Sequence, residues 1–189
     1  MFNTRLQFPN DGLARILLVE NSNALRTVFR IILSTDRQVE ILGEADSAED
    51  ALGLIPLLKP NLVLVDLELN DGSGVELVRQ IKRLYPALKI LVLSANEDES
   101  TTLEIIAYGI NAYCIKGIPI VQLIDIIHKV QSGEIWIDPV VLANLNFDDP
   151  FVDSAQVWKE SLEDGAVYPN SRLERDKPRF LSNAMFKRF

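Results

Sequence analysis

From Arg15 to Asp138 the chain alternates between two hydrophobic rhythms. Short runs rich in leucine, isoleucine and valine give way to longer stretches whose apolar positions recur every three to four residues. The short runs predict strands at Arg15–Val19, Val39–Ala45, Leu62–Asp66, Lys89–Ser94 and Ala112–Ile115. The longer stretches predict helices. The first spans Ser22–Leu33, with Ser22 as N-cap, and the second spans Ser47 to Ile55, limited by Pro56 and Pro60. Three more cover Gly74–Leu84, Ser100–Tyr108 and Pro119–Ser132, the last closed by Gly133. Leu62–Val65 has no polar interruption, as a central strand requires. Five such units predict an α/β fold with a mostly parallel sheet covered on both faces.

The rhythm stops after Asp138-Pro139. A segment over 1–14 precedes the predicted domain (15–138), and an extension follows it (139–189). Asn146–Asp164 carries six acids against Lys159, a balance of -5; Gly165–Phe189 carries six bases against two acids, a balance of +4. Aromatic residues, Trp158 and Phe180 among them, are spread through this extension, whereas disordered tails usually have few. Part of it is therefore expected to pack on something, with a short helix over Asp153–Leu162. The overall composition, 48% hydrophobic and 24% charged over 189 residues, is that of a globular protein. A net charge of -8 argues against tight nucleic-acid binding by the chain as a whole. No run approaches the ~18 apolar residues of a membrane span. Met1–Gly12 lacks an apolar core of signal-peptide length. The single cysteine, Cys114, excludes an internal disulfide and fits a reducing, cytoplasmic compartment.

The candidate chemistry lies where the apolar runs end. Asp66 closes the third strand, Glu20 and Asn21 follow the first, Ser94 closes the fourth, and Lys116 follows the fifth. Parallel strands bring all of these to one edge, the crevice where open α/β sheets place their ligands. The set holds an acid nucleophile, a hydroxyl, a lysine and a candidate cation site. A structural ion pair between Lys116 and Asp66 is the plainer alternative. His128 reads as a surface or boundary residue, and Trp136 as packing the end of the domain. There is no glycine-rich phosphate loop and no catalytic histidine site, which argues against an enzyme acting on a diffusible small molecule.

With the phosphoacceptor-like stretch LVLVDLELNDGSG, the hydroxyl strand ILVLSA and the lysine strand AYCIKG, Arg15 to about Asp138 resembles the receiver domain of two-component response regulators. GEIWIDP resembles the exit of receivers of the NarL/LuxR type, here without a recognisable helix-turn-helix output. The resemblance implies a flavodoxin-like, doubly wound five-stranded sheet in the order 2-1-3-4-5. It implies that Asp66 is the phosphoacceptor, Ser94 and Lys116 are its catalytic partners, and Ser94 and Tyr113 are switch residues. It also implies a Mg²⁺ site at Glu20, Asn21, Asp66 and the backbone carbonyl of Glu68. Two positions depart from the family's pattern. Asn21 stands where an acid is usual, so Mg²⁺ is expected to bind more weakly; Asn70 stands where many members have proline.

The leading expectation is thus a response-regulator signalling protein in a phosphorelay. Its donor would be a histidine kinase or phosphotransfer protein. It would be no enzyme beyond catalysing its own phosphorylation and dephosphorylation at Asp66. Its output would pass through a protein partner or self-association by the extension, without specific DNA binding or a membrane. A second reading is a pseudo-receiver, an interaction module independent of phosphorylation. A third is an atypical transcriptional regulator.

Overall fold

The structure is a computed structural model that describes residues 12–70, 74–95 and 98–145. Five strands and five helices alternate as the pattern predicts. They are β1 (Ala14–Val19), α1 (Asn23–Leu33), β2 (Val39–Ala45), α2 (Ala48–Leu58), β3 (Leu62–Asp66), α3 (Gly74–Leu84), β4 (Lys89–Ser94), α4 (Glu99–Ala107), β5 (Ala112–Ile115) and α5 (Ile120–Ser132). Two further elements follow: β6 (Trp136–Ile137) and α6 (Pro139–Asn144). The sheet is parallel and doubly wound, in the order β2-β1-β3-β4-β5-β6. It has six strands where five were expected. Strand β6 is two residues long, below the length at which alternation can be read, and it pairs Ala112 with Trp136 and Tyr113 with Ile137.

Both faces of the sheet are covered, so the inner strands are buried on both sides. One face, lined by Leu17, Val63, Val65, Ile90 and Val92, packs against Ala51 and Ile55 of α2, Leu77, Val78 and Ile81 of α3, and Ile105 and Ile106 of α4. The other, lined by Ile16, Leu18, Leu62, Leu64, Leu91 and Leu93, packs against Leu33 of α1 and Leu123, Ile126, Ile127 and Val130 of α5. Each such fully buried side chain contributes about 1.5 to 3 kcal/mol relative to exposure. The packed chain also runs past Asp138. Asp138 caps α6 by accepting the Val140 N–H, and Val141 and Leu145 join the first core. His128 Nε2 lies 3.0 Å from Asp36 Oδ2, tying α5 to the turn after α1.

The polar caps explain most helix starts. Ser22, Ser47 and Asp98 accept the N–H of Leu25, Asp50 and Thr101, so α4 starts at Glu99, one residue before the expected Ser100. Helix α2 differs more. It passes through Pro56 to Leu58 and ends at Lys59, whose φ of 52° is left-handed. Proline in a last turn removes only one hydrogen bond, and burial of Ala51 and Ile55 keeps the helix on course. Leu58 packs over Gly43 on β2, where a Cβ would fall 2.5 Å from Leu58 Cδ1. The tail helix expected over Asp153–Leu162, and the whole charged extension from Asn146, lie outside the described residues.

Gly74 starts α3 against the backbone of Leu67, the first residue after β3. A Cβ at Gly74 would fall 2.3 Å from the Leu67 carbonyl oxygen and 2.5 Å from its Cα. Backbone cannot swing aside as a side-chain end can. Gly74→Ala is therefore expected to lower stability by about 3 kcal/mol, the upper range for overpacking, as measured by urea unfolding. A cost near zero would mean that α3 shifts freely away from the loop after Asp66.

Candidate functional site

The parallel register assembles the site. Strands β1 and β3 pair Leu18 with Leu64 and Val19 with Val65, so the next residues, Glu20 and Asp66, emerge side by side. Strands β3 and β4 pair Asp66 with Leu93, one residue before Ser94. The Lys116 N–H donates to the Ser94 carbonyl at 2.8 Å, which fixes the start of the loop after β5 to the end of β4. All the residues expected at this edge are there.

Glu20, Asp66 and Ser94 are buried, at no more than 1% exposure, and the Lys116 side chain is 21% exposed. Lys116 Nζ donates to Asp66 Oδ2 at 2.7 Å and to Glu68 Oε2 at 3.3 Å, and lies 3.8 Å from Glu20 Oε2. One ammonium thus faces three carboxylates. Burial alone would lower the Lys116 pKa, but the hydrogen bond and charge of Asp66, with Glu20 and Glu68 behind it, raise it above the usual lysine value. Glu20 is shifted upward as well. Burial is the main cause, the Ser22 N–H and Lys116 oppose it, and the charge of Asp66 adds to it. Glu20 Oε1 accepts the Ser22 N–H at 2.9 Å, while Oε2 has no hydrogen-bond partner among the described residues. The Asp66 carboxylate is held on its other oxygen, Oδ1, by the Glu68 N–H at 2.9 Å.

Asn21 occupies the place of the expected metal ligand, but with a donor. Its amide Nδ2 donates to the Glu68 carbonyl at 2.7 Å and to Asn70 Oδ1 at 3.0 Å. The carbonyl expected to hold Mg²⁺ is therefore already bonded to an N–H. Among the described residues no group of three or more His, Cys, Asp or Glu is placed to hold a metal ion. Oxygen ligands of the kind Mg²⁺ requires are present, but Asp66 Oδ2 is taken by the Lys116 ammonium and the Glu68 carbonyl by the Asn21 amide, leaving only Glu20 Oε2 open among the described residues, so the set as placed does not fit the ion.

Tyr113 on β5 is buried at 1% exposure, and its hydroxyl accepts from Thr102 Oγ1 of α4 at 3.3 Å. Thr102 was not singled out in the sequence. A threonine on a helix carries no signal until the strand that it faces is known. Arg26 was also missed. Its guanidinium bonds the carbonyls of Glu20 and Asn21 and lies 3.5 Å from Glu44 Oε2, bracing the end of β1. Its place in the first turn of α1, after Glu20 and Asn21, is the available clue. A cavity of about 170 Å³ lies between α4 and α6, lined by Glu99, Thr102, Val141, Asn144 and Leu145.

Removing Lys116 would leave two buried carboxylates facing each other. Lys116→Met is expected to cost about 2 kcal/mol at pH 7, less than the 3 to 5 of a fully buried pair because part of the lysine remains exposed to solvent. The folded-state pKa of Lys116 is raised, so its contribution is complete below the unfolded value of about 10.5 and is lost as pH rises through the higher folded value. Urea unfolding of both proteins from pH 7 to 11 should show a constant gap that narrows only in the alkaline range. A gap that is absent at pH 7 would refute the shared-ammonium arrangement.

The chain is similar to known proteins in sequence and in fold. Residues 16–128 match the family described as "Response regulator receiver domain". The transcriptional regulatory protein DegU of Brevibacillus brevis is 28% identical over 136 residues, covering 72% of this chain and 58% of its own length. The response regulator protein VraR of Staphylococcus aureus is 30% identical over 131 residues, covering 69% of this chain and 63% of its own. The chain thus spans about three-fifths of the length of these relatives. In fold it is similar to the isolated REC domain of RcsB from Salmonella enterica serovar Typhimurium, with a TM-score of 0.66 at 20% identity over 71% of this chain and 99% of that one. A LuxR-family response regulator from an Aurantimonas species gives a TM-score of 0.65 at 23% identity, over 77% of this chain and 99% of the other. The matched sequence and the shared sheet order together assign the chain to the response regulator receiver family.

Proposed function

We propose that this chain is a phosphoaccepting signalling module of a two-component relay, with Asp66 as the acceptor. The observation that carries the reading is the buried Asp66 carboxylate, held at 2.7 Å by Lys116 beside the end of β4, where Ser94 lies. The donor would be the phosphohistidine of a kinase or phosphotransfer protein. A carboxylate oxygen of Asp66 attacks phosphorus as the phosphorus–nitrogen bond breaks, and the imidazole keeps the electron pair and takes up a proton. The Lys116 ammonium, already at the carboxylate, pairs with the transferred group, and the Ser94 hydroxyl donates to it. The product adds about 1.5 to 2 negative charges to a pocket that holds Glu20 and Glu68. In dephosphorylation a water oxygen bonds to phosphorus as the bond to the Asp66 oxygen breaks, releasing inorganic phosphate and the carboxylate, and repulsion from these acids raises the energy of the phosphorylated state that precedes it. Receivers typically take up Mg²⁺ for phosphorylation; no step here is routed through it.

Output would pass from the strand edge to the α4–α6 face. Tyr113 reaches Thr102 there, and α6 covers the same core. A protein partner, or self-association through the extension, is the proposed receiver of the signal, in the cytoplasm. Two features favour other readings. The Asn21 amide that bonds the Glu68 carbonyl favours an interaction module independent of phosphorylation. The regulators among the relatives, DegU being named a transcriptional regulatory protein, favour a role in transcription. Incubating the protein with acetyl phosphate and reading its intact mass separates the first two. The expected result is a gain of one phosphoryl group that is absent in Asp66→Asn. No gain in the parent protein, at any Mg²⁺ concentration, would overturn the phosphoacceptor reading in favour of the pseudo-receiver.

A further inference from the structure

Asn21 and Asn70 are the two positions at which the site departs from its family's pattern. They are 49 residues apart in sequence, and their side chains share a hydrogen bond of 3.0 Å. The same Asn21 nitrogen donates to the Glu68 carbonyl at 2.7 Å. One amide therefore joins the end of β1 to two points on the loop that follows Asp66. Both contacts are made to oxygen acceptors, the groups that a divalent cation would otherwise draw together. Lys116 supplies the remaining positive charge, within 3.8 Å of all three carboxylates. The Arg26 guanidinium holds the Asn21 carbonyl at 3.1 Å and so fixes the backbone from which the amide projects.

We infer that the Asn21 amide does the structural work of the cation: it clamps the stretch from Glu68 to Asn70 to the end of β1, so that this stretch is held without a divalent metal. The inference concerns the ground state and holds whether or not Asp66 accepts phosphate. An amide and a carboxylate of the same shape make opposite demands here. Asn21 offers N–H groups to the Glu68 and Asn70 oxygens. Aspartate would set a third acceptor against those two and require a cation between them. The pairing also accounts for Asn70, because proline at that place would carry no side-chain acceptor.

The test is thermal unfolding of the full chain with and without Mg²⁺, at ionic strength matched with choline chloride. The parent protein should show no Mg²⁺-dependent change in Tm and no saturable heat when titrated with Mg²⁺ in a calorimeter. Asn21→Asp should melt below the parent without Mg²⁺ and regain about 5 to 10 °C when Mg²⁺ is about a hundredfold above its Kd. Asn21→Ala should melt low in both conditions. Its Glu68 backbone N–H, which donates to Asp66 Oδ1 at 2.9 Å, should exchange with solvent about tenfold faster than in the parent once the clamp on the Glu68 carbonyl is lost. Asn70→Ala should produce part of this loss in the parent background and none in Asn21→Ala. Saturable Mg²⁺ binding by the parent protein, or unchanged exchange at the Glu68 N–H in Asn21→Ala, would overturn the inference. The calorimetric measurement needs no variant and decides the matter even where Asn21→Asp does not fold.

Discussion

The ammonium of Lys116 is shared among Asp66, Glu68 and Glu20, and the rest of the site depends on that sharing. Two of these carboxylates are buried beside each other by the pairing of β1 with β3, so their repulsion is built into the sheet. Such an arrangement is stable only with a cation at hand, because buried charges without partners cost several kcal/mol each. Lys116 is brought to that place by a backbone bond to Ser94 and not by the reach of its side chain alone. The strand that carries the hydroxyl thus also positions the lysine. Lys116 therefore links the Asp66 carboxylate to the joint between β4 and β5.

That joint borders the face where the chain goes beyond a five-stranded plan. Ile137 of β6 pairs with Tyr113, and the Asp138 N–H donates to the Tyr113 carbonyl at 2.9 Å. Helix α6 then turns back over the first core, with Val141 and Leu145 buried and Val140 exposed. The backbone of one residue, Tyr113, is therefore joined to the exit of the domain, while its hydroxyl is joined to α4 through Thr102. A small apolar helix such as α6 has little intrinsic stability. Its position rests on the burial of Val141 and Leu145 in the first core.

Much of this was legible in the sequence. Asp66 was identified because a carboxylate that ends a wholly apolar run has few structural explanations. Parallel register then places Glu20, Ser94 and Lys116 beside it with no further information. Strand and helix limits were read to within a residue wherever a capping side chain or a glycine marked them, as at Ser22, Ser47 and Gly133. They were misread where tertiary burial outweighed local preference. Pro56 looks like a stop, yet Ala51 and Ile55 hold α2 in place through it. Strand β6 is too short to show a period, and α6 is visible only as Pro-Val-Val-Leu after an aspartate. Thr102 and Arg26 act through partners distant in sequence, which composition and spacing do not encode.

The Asn21–Asn70 contact shows the same limit from another side. In the sequence, each residue is a separate departure from the family's pattern, and the first of them implies weaker cation binding. Together in space they form a bond. The deficit of negative charge at Asn21 and the acceptor at Asn70 are complementary, and both meet on the loop that holds Asp66. A carboxylate at position 21 would increase the electrostatic load on Lys116, which already faces three acids. The amide relieves that load and supplies two donors. The two departures therefore act as one contact, which ties the stretch after Asp66 to the end of β1 beside the shared ammonium.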